Sequence, residues 1–300
     1  MFRQPTLGQP LLEWKHPFQY ASEAAKLFRS GVSCDERPIR KASTPVPLPK
    51  TAFFYGSCAP VEALAKFDRV VVEADQMHDL SKLRSADAEI FAYVSVGEAE
   101  GWRESSRALP SGLFLGSNLP WQSRIADLMH PDWVHYLLED RLPGLWDVGY
   151  RAFFLDTLDS YRIVVKDPTA NRLQEVALVN LIKAIHQRFP GVRLLLNRGF
   201  EVLPHVAHLC AGIVAESLFQ GWNPGMKAYV PVSESDRLWL TTRLDDAKKR
   251  FKLPVTVIDY VGPENLALAE ETARQVTALG FSPWVANPGL DVLPQYMARN

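Results

Sequence analysis

Cysteine is scarce and odd in number: Cys34, Cys58 and Cys210 are the only three in 300 residues. They stand at no metal-ligand spacing and make no disulfide framework, so the fold must be held by its core. Long apolar runs are missing as well. No stretch approaches the ~20 residues of a membrane span. The opening MFRQPTLGQPLLEWKHPFQY has only a short apolar run, broken by prolines and charges, and does not read as an export leader. Nor does one sign of charge dominate. Thirty-three Lys and Arg face 34 Asp and Glu, which gives no electrostatic reason to expect nucleic acid or an anionic membrane surface as partner. Several reaction signatures are also absent. No GxGxxG or GxxxxGK[ST] follows a strand-like run, and there is no HExxH and no GxSxG. The pairs His130/His135 and His205/His208 fit solvated or capping positions better than a metal site.

What is present is a rhythm. From Thr51 onward, short apolar, β-branched or aromatic runs recur: TAFFYG (51–56), RVVVEA (69–74), IFAYVSVGE (90–98), AFFLDTLD (152–159), VRLLLNRG (192–199), GIVAESLF (212–219), VTVIDYV (255–261) and SPWVAN (282–287). Near-continuous hydrophobic runs of this length are typical of strands buried on both faces of a parallel sheet. Segments of helical periodicity lie between them, over 173–189, 238–251 and 264–279, and Pro190-Gly191 and Gly280 supply stop signals. About eight strands alternating with helices predict an α/β protein of the (β/α)8 TIM-barrel class, over residues 51–300. Residues 1–50 read as an N-terminal extension, with a short helix over 22–30 and a Pro-rich linker, KASTPVPLPK, over 41–50. One gap, 99–130, is abnormally long and contains two Trp; loops of that length commonly form a cleft wall.

Barrel enzymes carry their chemistry at the C-terminal ends of the strands. Here those ends are rich in acids: Glu73, Glu98, Asp156 with Asp159, Glu216, and Asp259, with Asn197-Arg198 closing the fifth run. A carboxylate at the end of a buried strand costs several kcal/mol unless it is paired or functional. Three explanations fit such a ring: glycoside hydrolysis by two carboxyl groups, a divalent cation held by acidic oxygens, or a salt-bridge network under the loops.

The strand-end motifs become specific in combination. YVSVGE (93–98), FFLDTLDS (153–160), LLNRGFEVLP (195–204), VAESLF (214–219) and IDYV (258–261) resemble, in the same order, the polygalactosaminidase-type barrel hydrolases. These are glycoside hydrolase family 114 and, more closely, family 166, the hydrolase domain found in bacterial Pel exopolysaccharide proteins. The resemblance runs from about Thr51 to Asp291. It implies an endo-glycosidase acting on α-1,4-linked galactosamine or N-acetylgalactosamine polymers with no cofactor or metal, and exopolysaccharide biosynthesis proteins as partners. It also implies a periplasmic or secreted setting, for which the N-terminus shows no leader, and it does not carry over the deacetylase activity of Pel proteins. Matching positions imply Asp156 as nucleophile and Glu216 as general acid and then base, with a raised pKa expected for Glu216 in its apolar surroundings. Glu98, Asp159, Asn197, Arg198 and Asp259 would line subsites, with Glu73 beside them. Tyr55, Tyr93, Tyr260, Trp222 and Trp284 are candidate sugar platforms. Structural roles stay open for several: Asp159 as a cap, Arg198 as a partner of Glu73 or Glu98, and Trp284 as barrel filling. A non-catalytic polysaccharide-binding barrel and a metal-dependent lyase using Asp156, Asp159 and Glu216 as ligands are the competing readings.

Overall fold

The computed structural model describes residues 48–77, 83, 87–294 and 296. The expected helix over 22–30 and most of the 41–50 linker lie outside the described residues. All eight expected strands form: β1 (Thr51–Phe54), β2 (Arg69–Val72), β3 (Glu89–Ser95), β4 (Ala152–Asp156), β5 (Arg193–Asn197), β6 (Cys210–Glu216), β7 (Val255–Tyr260) and β8 (Ser282–Ala286). They pair in parallel and in chain order in one sheet that curls into a nearly closed barrel.

The barrel is filled, not hollow. Phe53, Phe154 and Trp284 meet inside it, Phe53 lying 5.6 Å from Phe154 and 6.2 Å from Trp284 between ring centroids. Alternate residues face outward, where Phe153 packs on Trp146 and Phe189 of the helical layer. Burying both faces of each strand is what makes these runs continuously apolar, and it supplies most of the driving force for the fold.

Three long helices back the sheet: α1 (Pro168–Arg188), α2 (Glu234–Arg250) and α3 (Leu266–Ala278). Each begins at a side-chain cap, with Asp167 accepting from Ala170 N, Ser233 from Asp236 N and Asn265 from Leu268 N. Helix α1 starts five residues before the periodicity indicates. Its first turn is exposed and polar, so the Asp167-Pro168 start carries it without apolar repeat. His130 also caps, its Nδ1 accepting from Asp132 N at 3.2 Å. Cys58 and Cys210 are free thiols. Among the described residues no helix is long and apolar enough to cross a membrane.

The long gap after β3 is not an unstructured loop. It folds into a three-stranded antiparallel sheet, Glu98–Glu100, Ser123–Ala126 and Phe114–Asn118, with Ser123–Ala126 in the middle. Its strands are too short, and too polar on one side, to show a clear period of two. A second excursion, the hairpin Gln220–Asn223 with Ala228–Pro231, follows β6.

Candidate active site

The C-terminal ends of the central strands bring two acids together. Asp156 closes β4 and Glu216 closes β6, and Asn197, the last residue of the strand between them, reaches both. Its Nδ2 donates to Asp156 Oδ1 and to Glu216 Oε1, each at 2.7 Å. The two oxygens therefore lie no farther apart than twice 2.7 Å, or 5.4 Å. The reverse amide orientation would aim a carbonyl oxygen at two carboxylates, so the donor is fixed by its surroundings. Asn197 Oδ1 is buried and has no partner among the described residues.

Tyrosine hydroxyls complete the pair. Tyr93 donates to Asp156 Oδ2 at 3.0 Å, and Tyr260 donates to Glu216 Oε2. The Tyr55 ring lies 5.3 Å from that of Tyr93. Burial, followed by the negative charge of the carboxylates, holds all three phenols well above their ordinary pKa, so they remain neutral donors. Asp156 is pushed up to about 7, first by burial over the aromatic filling and then by the like charge of Glu216; its hydrogen bonds act the other way. Two carboxyl groups this close resist ionising together, and below about pH 7 the pair keeps one proton.

The backbone turns sharply at this point. Thr157, Arg198 and Ser217, the residues immediately after Asp156, Asn197 and Glu216, all have positive φ, at 60°, 57° and 63°. A β-branched Thr in the left-handed region is strained. Its hydroxyl contributes to holding it, accepting from Gly97 N at 2.9 Å and bonding Ser95 Oγ at 3.0 Å. A Cβ on Gly97 would stand 2.1 Å from the Thr157 carbonyl oxygen. Gly97→Ala should therefore displace the turn that carries Asp156 and lower the melting temperature by about 5 °C, as read by circular dichroism. An unchanged melt would refute this packing argument.

The other predicted residues fall into two groups. Arg198 lies at the mouth, but it pairs with neither Glu73 nor Glu98. Its Nη2 donates to the Glu216 carbonyl oxygen at 3.0 Å. Asp159 is half-buried in the turn after β4, and its side chain makes no hydrogen bond or ion pair among the described residues. Trp222 stands on the hairpin after β6, edge-on to Tyr229 at 5.0 Å.

Three acids are instead engaged by the protein. Glu73 forms a buried two-point ion pair with Arg103, which also pairs with Asp75 and Glu100. Glu98 accepts from Asn118 Nδ2 at 2.9 Å and from the hydroxyls of Ser160 and Ser123, tying the three-stranded sheet to the turn after β4. Asp259 is 0% exposed, and its Oδ1 accepts from the backbone N–H of Leu218, Phe219 and Gln220 at 2.8–3.0 Å. Burial pushes it up to about 6 against those three bonds. It fastens the loop that follows Glu216.

Trp284 is not a sugar platform. It is fully buried and pairs in register with Ile258, two residues below the level where Tyr260 meets Ala286. Tyr93 and Tyr260 are mostly buried too, and present hydroxyls rather than open faces. Two participants went unanticipated from sequence. Glu100 lies 3.2 Å from the Tyr93 hydroxyl, where it competes with Asp156 for the single phenol proton, and Arg103 binds Glu100. Neither ends a barrel strand, so a search of strand ends passes over them. Among the described residues no three His, Cys, Asp or Glu side chains converge as a metal-binding group.

Comparison with known proteins agrees with the barrel fold. The profile of glycoside-hydrolase family GH114 matches residues 37–300. The glycoside hydrolase domain of PelA from Pseudomonas aeruginosa is 35% identical, with a TM-score of 0.75 over 82% of this chain and 97% of that one. Aspergillus fumigatus Ega3, solved in complex with galactosamine, shares the fold at 15% identity, with a TM-score of 0.61 over 85% of this chain and 97% of that one. An uncharacterised Methanocaldococcus jannaschii protein, MJ1477, is 23% identical over 231 residues, 69% of this chain; the chain spans 64% of that relative's length.

Proposed function

The chain belongs to glycoside-hydrolase family GH114, and on that premise we propose that it is an endo-acting glycosidase cleaving α-1,4-linked galactosamine or N-acetylgalactosamine polymers with retention of configuration. The observation that carries the stereochemical part is the amide of Asn197. By bonding one oxygen of each acid at 2.7 Å, it keeps those two oxygens close together, which favours the ~5–5.5 Å carboxyl spacing of double-displacement enzymes over the ~6.5–9.5 Å that an inverting enzyme needs to admit water.

In the proposed reaction the proton shared by the pair is drawn to Glu216, and Asp156, left ionised, attacks the anomeric carbon. The glycosidic C–O bond breaks as Glu216 transfers the pair's proton to the leaving oxygen. Water then enters, gives a proton to Glu216, and its oxygen displaces Asp156 from the anomeric carbon. Asn197 and Tyr93 hold the nucleophile, while Tyr260 and Asn197 hold the acid. Arg198, Asp159, Tyr55 and Trp222 remain the candidates for contacts with the sugar.

The substrate class rests on two supports. The relatives include PelA's hydrolase domain and a protein solved with galactosamine. The site itself also favours a cation. Arg103 is neutralised by its acidic partners and so does not offset the negative charge of the carboxyl pair, which attracts an ammonium group.

Incubation with partially deacetylated α-1,4-galactosaminoglycan, followed by mass spectrometry, should show a ladder of oligosaccharides early in the reaction. Monomer alone would contradict endo action, and an intact polymer would contradict the substrate assignment.

A further inference from the structure

Trp102 stands at the end of the three-stranded sheet, 52% exposed, two residues past the strand that delivers Glu100 to Tyr93. An exposed indole is unremarkable by itself, but this one is fixed in place. The Arg103 guanidinium lies 4.2 Å from the ring centroid of Trp102 and 5.5 Å from that of Tyr93. Arg103 is in turn immobilised by Glu73, Asp75 and Glu100. Asp75 is also held from its other side by Arg141. The indole is therefore backed on one face by a buried, charge-locked guanidinium, and its exposure belongs to the rest of the ring. Through Arg103 it is continuous with Tyr93, whose hydroxyl bonds Asp156.

We propose that Trp102 is the stacking platform of a sugar subsite beyond the carboxyl pair, with its open indole face receiving a ring of the polysaccharide chain that runs outward from Asp156. This rests on the polysaccharide-hydrolase reading above and adds a binding residue to it. The apolar C–H face of a pyranose suits the electron-rich indole face, and a ring that is already immobile loses little entropy when a sugar settles on it.

The matched control is Trp121. It is 61% exposed in the 3-10 turn that joins Phe114–Asn118 to Ser123–Ala126, where a Cβ on Gly101 would lie 3.5 Å from the Gln122 carbonyl oxygen. It has no guanidinium linking it to Tyr93. The measurement is calorimetric binding of α-1,4-galactosamine oligosaccharides, from the disaccharide upward, to the full chain carrying Glu216→Gln, which slows cleavage enough for the titration to read binding. Adding Trp102→Ala should weaken the longer oligosaccharides about tenfold while leaving the disaccharide within about twofold, Trp102→Phe should recover most of the loss, and Trp121→Ala should weaken none. Equal weakening of short and long ligands by Trp102→Ala would mean that the ring acts only through Arg103 on the carboxyl pair, and would overturn the subsite. So would a loss matched by Trp121→Ala, or no loss at any length. If protein retaining Trp102 bound no oligosaccharide of any length, the polysaccharide reading and the subsite would both fall.

Discussion

Asp156→Asn should abolish hydrolysis of the polymer, with a fall in kcat/KM of at least ~10⁴-fold, while leaving the fold intact and more stable at alkaline pH. The loss follows from removing the only anion placed to attack the anomeric carbon. The gain follows from burial. Asp156 is held near 7 by desolvation and by Glu216, so its folded-state pKa lies above the unfolded one. The stability linked to its protonated form is present at low pH and is lost as pH rises through about 7. The Asn variant carries no such charge. Its side-chain oxygen can still accept from Asn197, and its amide can donate to Tyr93, whose proton then serves Glu100. At pH above 7 the variant should melt higher than the parent by ~2 °C or more, with the difference shrinking as the pH falls toward the ordinary carboxylate range. A variant that is inactive and also less stable at every pH would mark Asp156 as structural.

Glu216→Gln should have an effect that depends on the leaving group. With the natural glycosidic bond, which needs a proton on its departing oxygen, the rate should drop ~10²–10⁴-fold. With a glycosyl fluoride, whose leaving group needs little protonation, the first step should survive and the second should stall, because no base is left to activate water. The pH profile should change in parallel. In the parent, kcat/KM should fall as pH rises past about 7, where the carboxyl pair loses its last proton and the acid disappears. In the variant acting on the fluoride that alkaline limb should be gone. A leaving-group-independent loss would place Glu216 outside the proton transfer.

The barrel was readable because its strands are buried on both faces, and that burial writes itself into runs such as VTVIDYV and VRLLLN. The two acids were readable because they end such runs. What escaped is the face each residue takes. Ile258, Asp259 and Tyr260 alternate in direction, so Asp259 and Tyr260 could not both enter the cleft. Tyr260 reaches Glu216, while Asp259 binds the loop behind it. Depth decides the same question for Trp284: it lies on the inward face but two residues too low to reach the cleft, and it fills the barrel. The sequence position of Glu98, just past β3, marked it as acidic and near the mouth, but nothing local announces Ser160 and Ser123 as its partners across 62 and 25 residues. The Arg103 cluster is likewise a product of tertiary folding. It lies in a stretch whose antiparallel strands are too short to show a period, so neither the sheet nor the charge pairing was legible.

The structure places the upward push on Asp156, with Glu216 among its causes, and the chemically useful quantity is the single proton the two acids share. Asn197 is the residue that makes the sharing possible, since one amide nitrogen touches both carboxylates.

The central claim, a double displacement through Asp156, is tested most directly by trapping its intermediate. Glu216→Gln protein mixed with an α-galactosaminyl fluoride should gain the mass of one galactosaminyl residue, and peptide mapping should place it on the peptide that carries Asp156. An adduct on any other residue, or no adduct while the fluoride is consumed with inversion at the anomeric carbon, would contradict it.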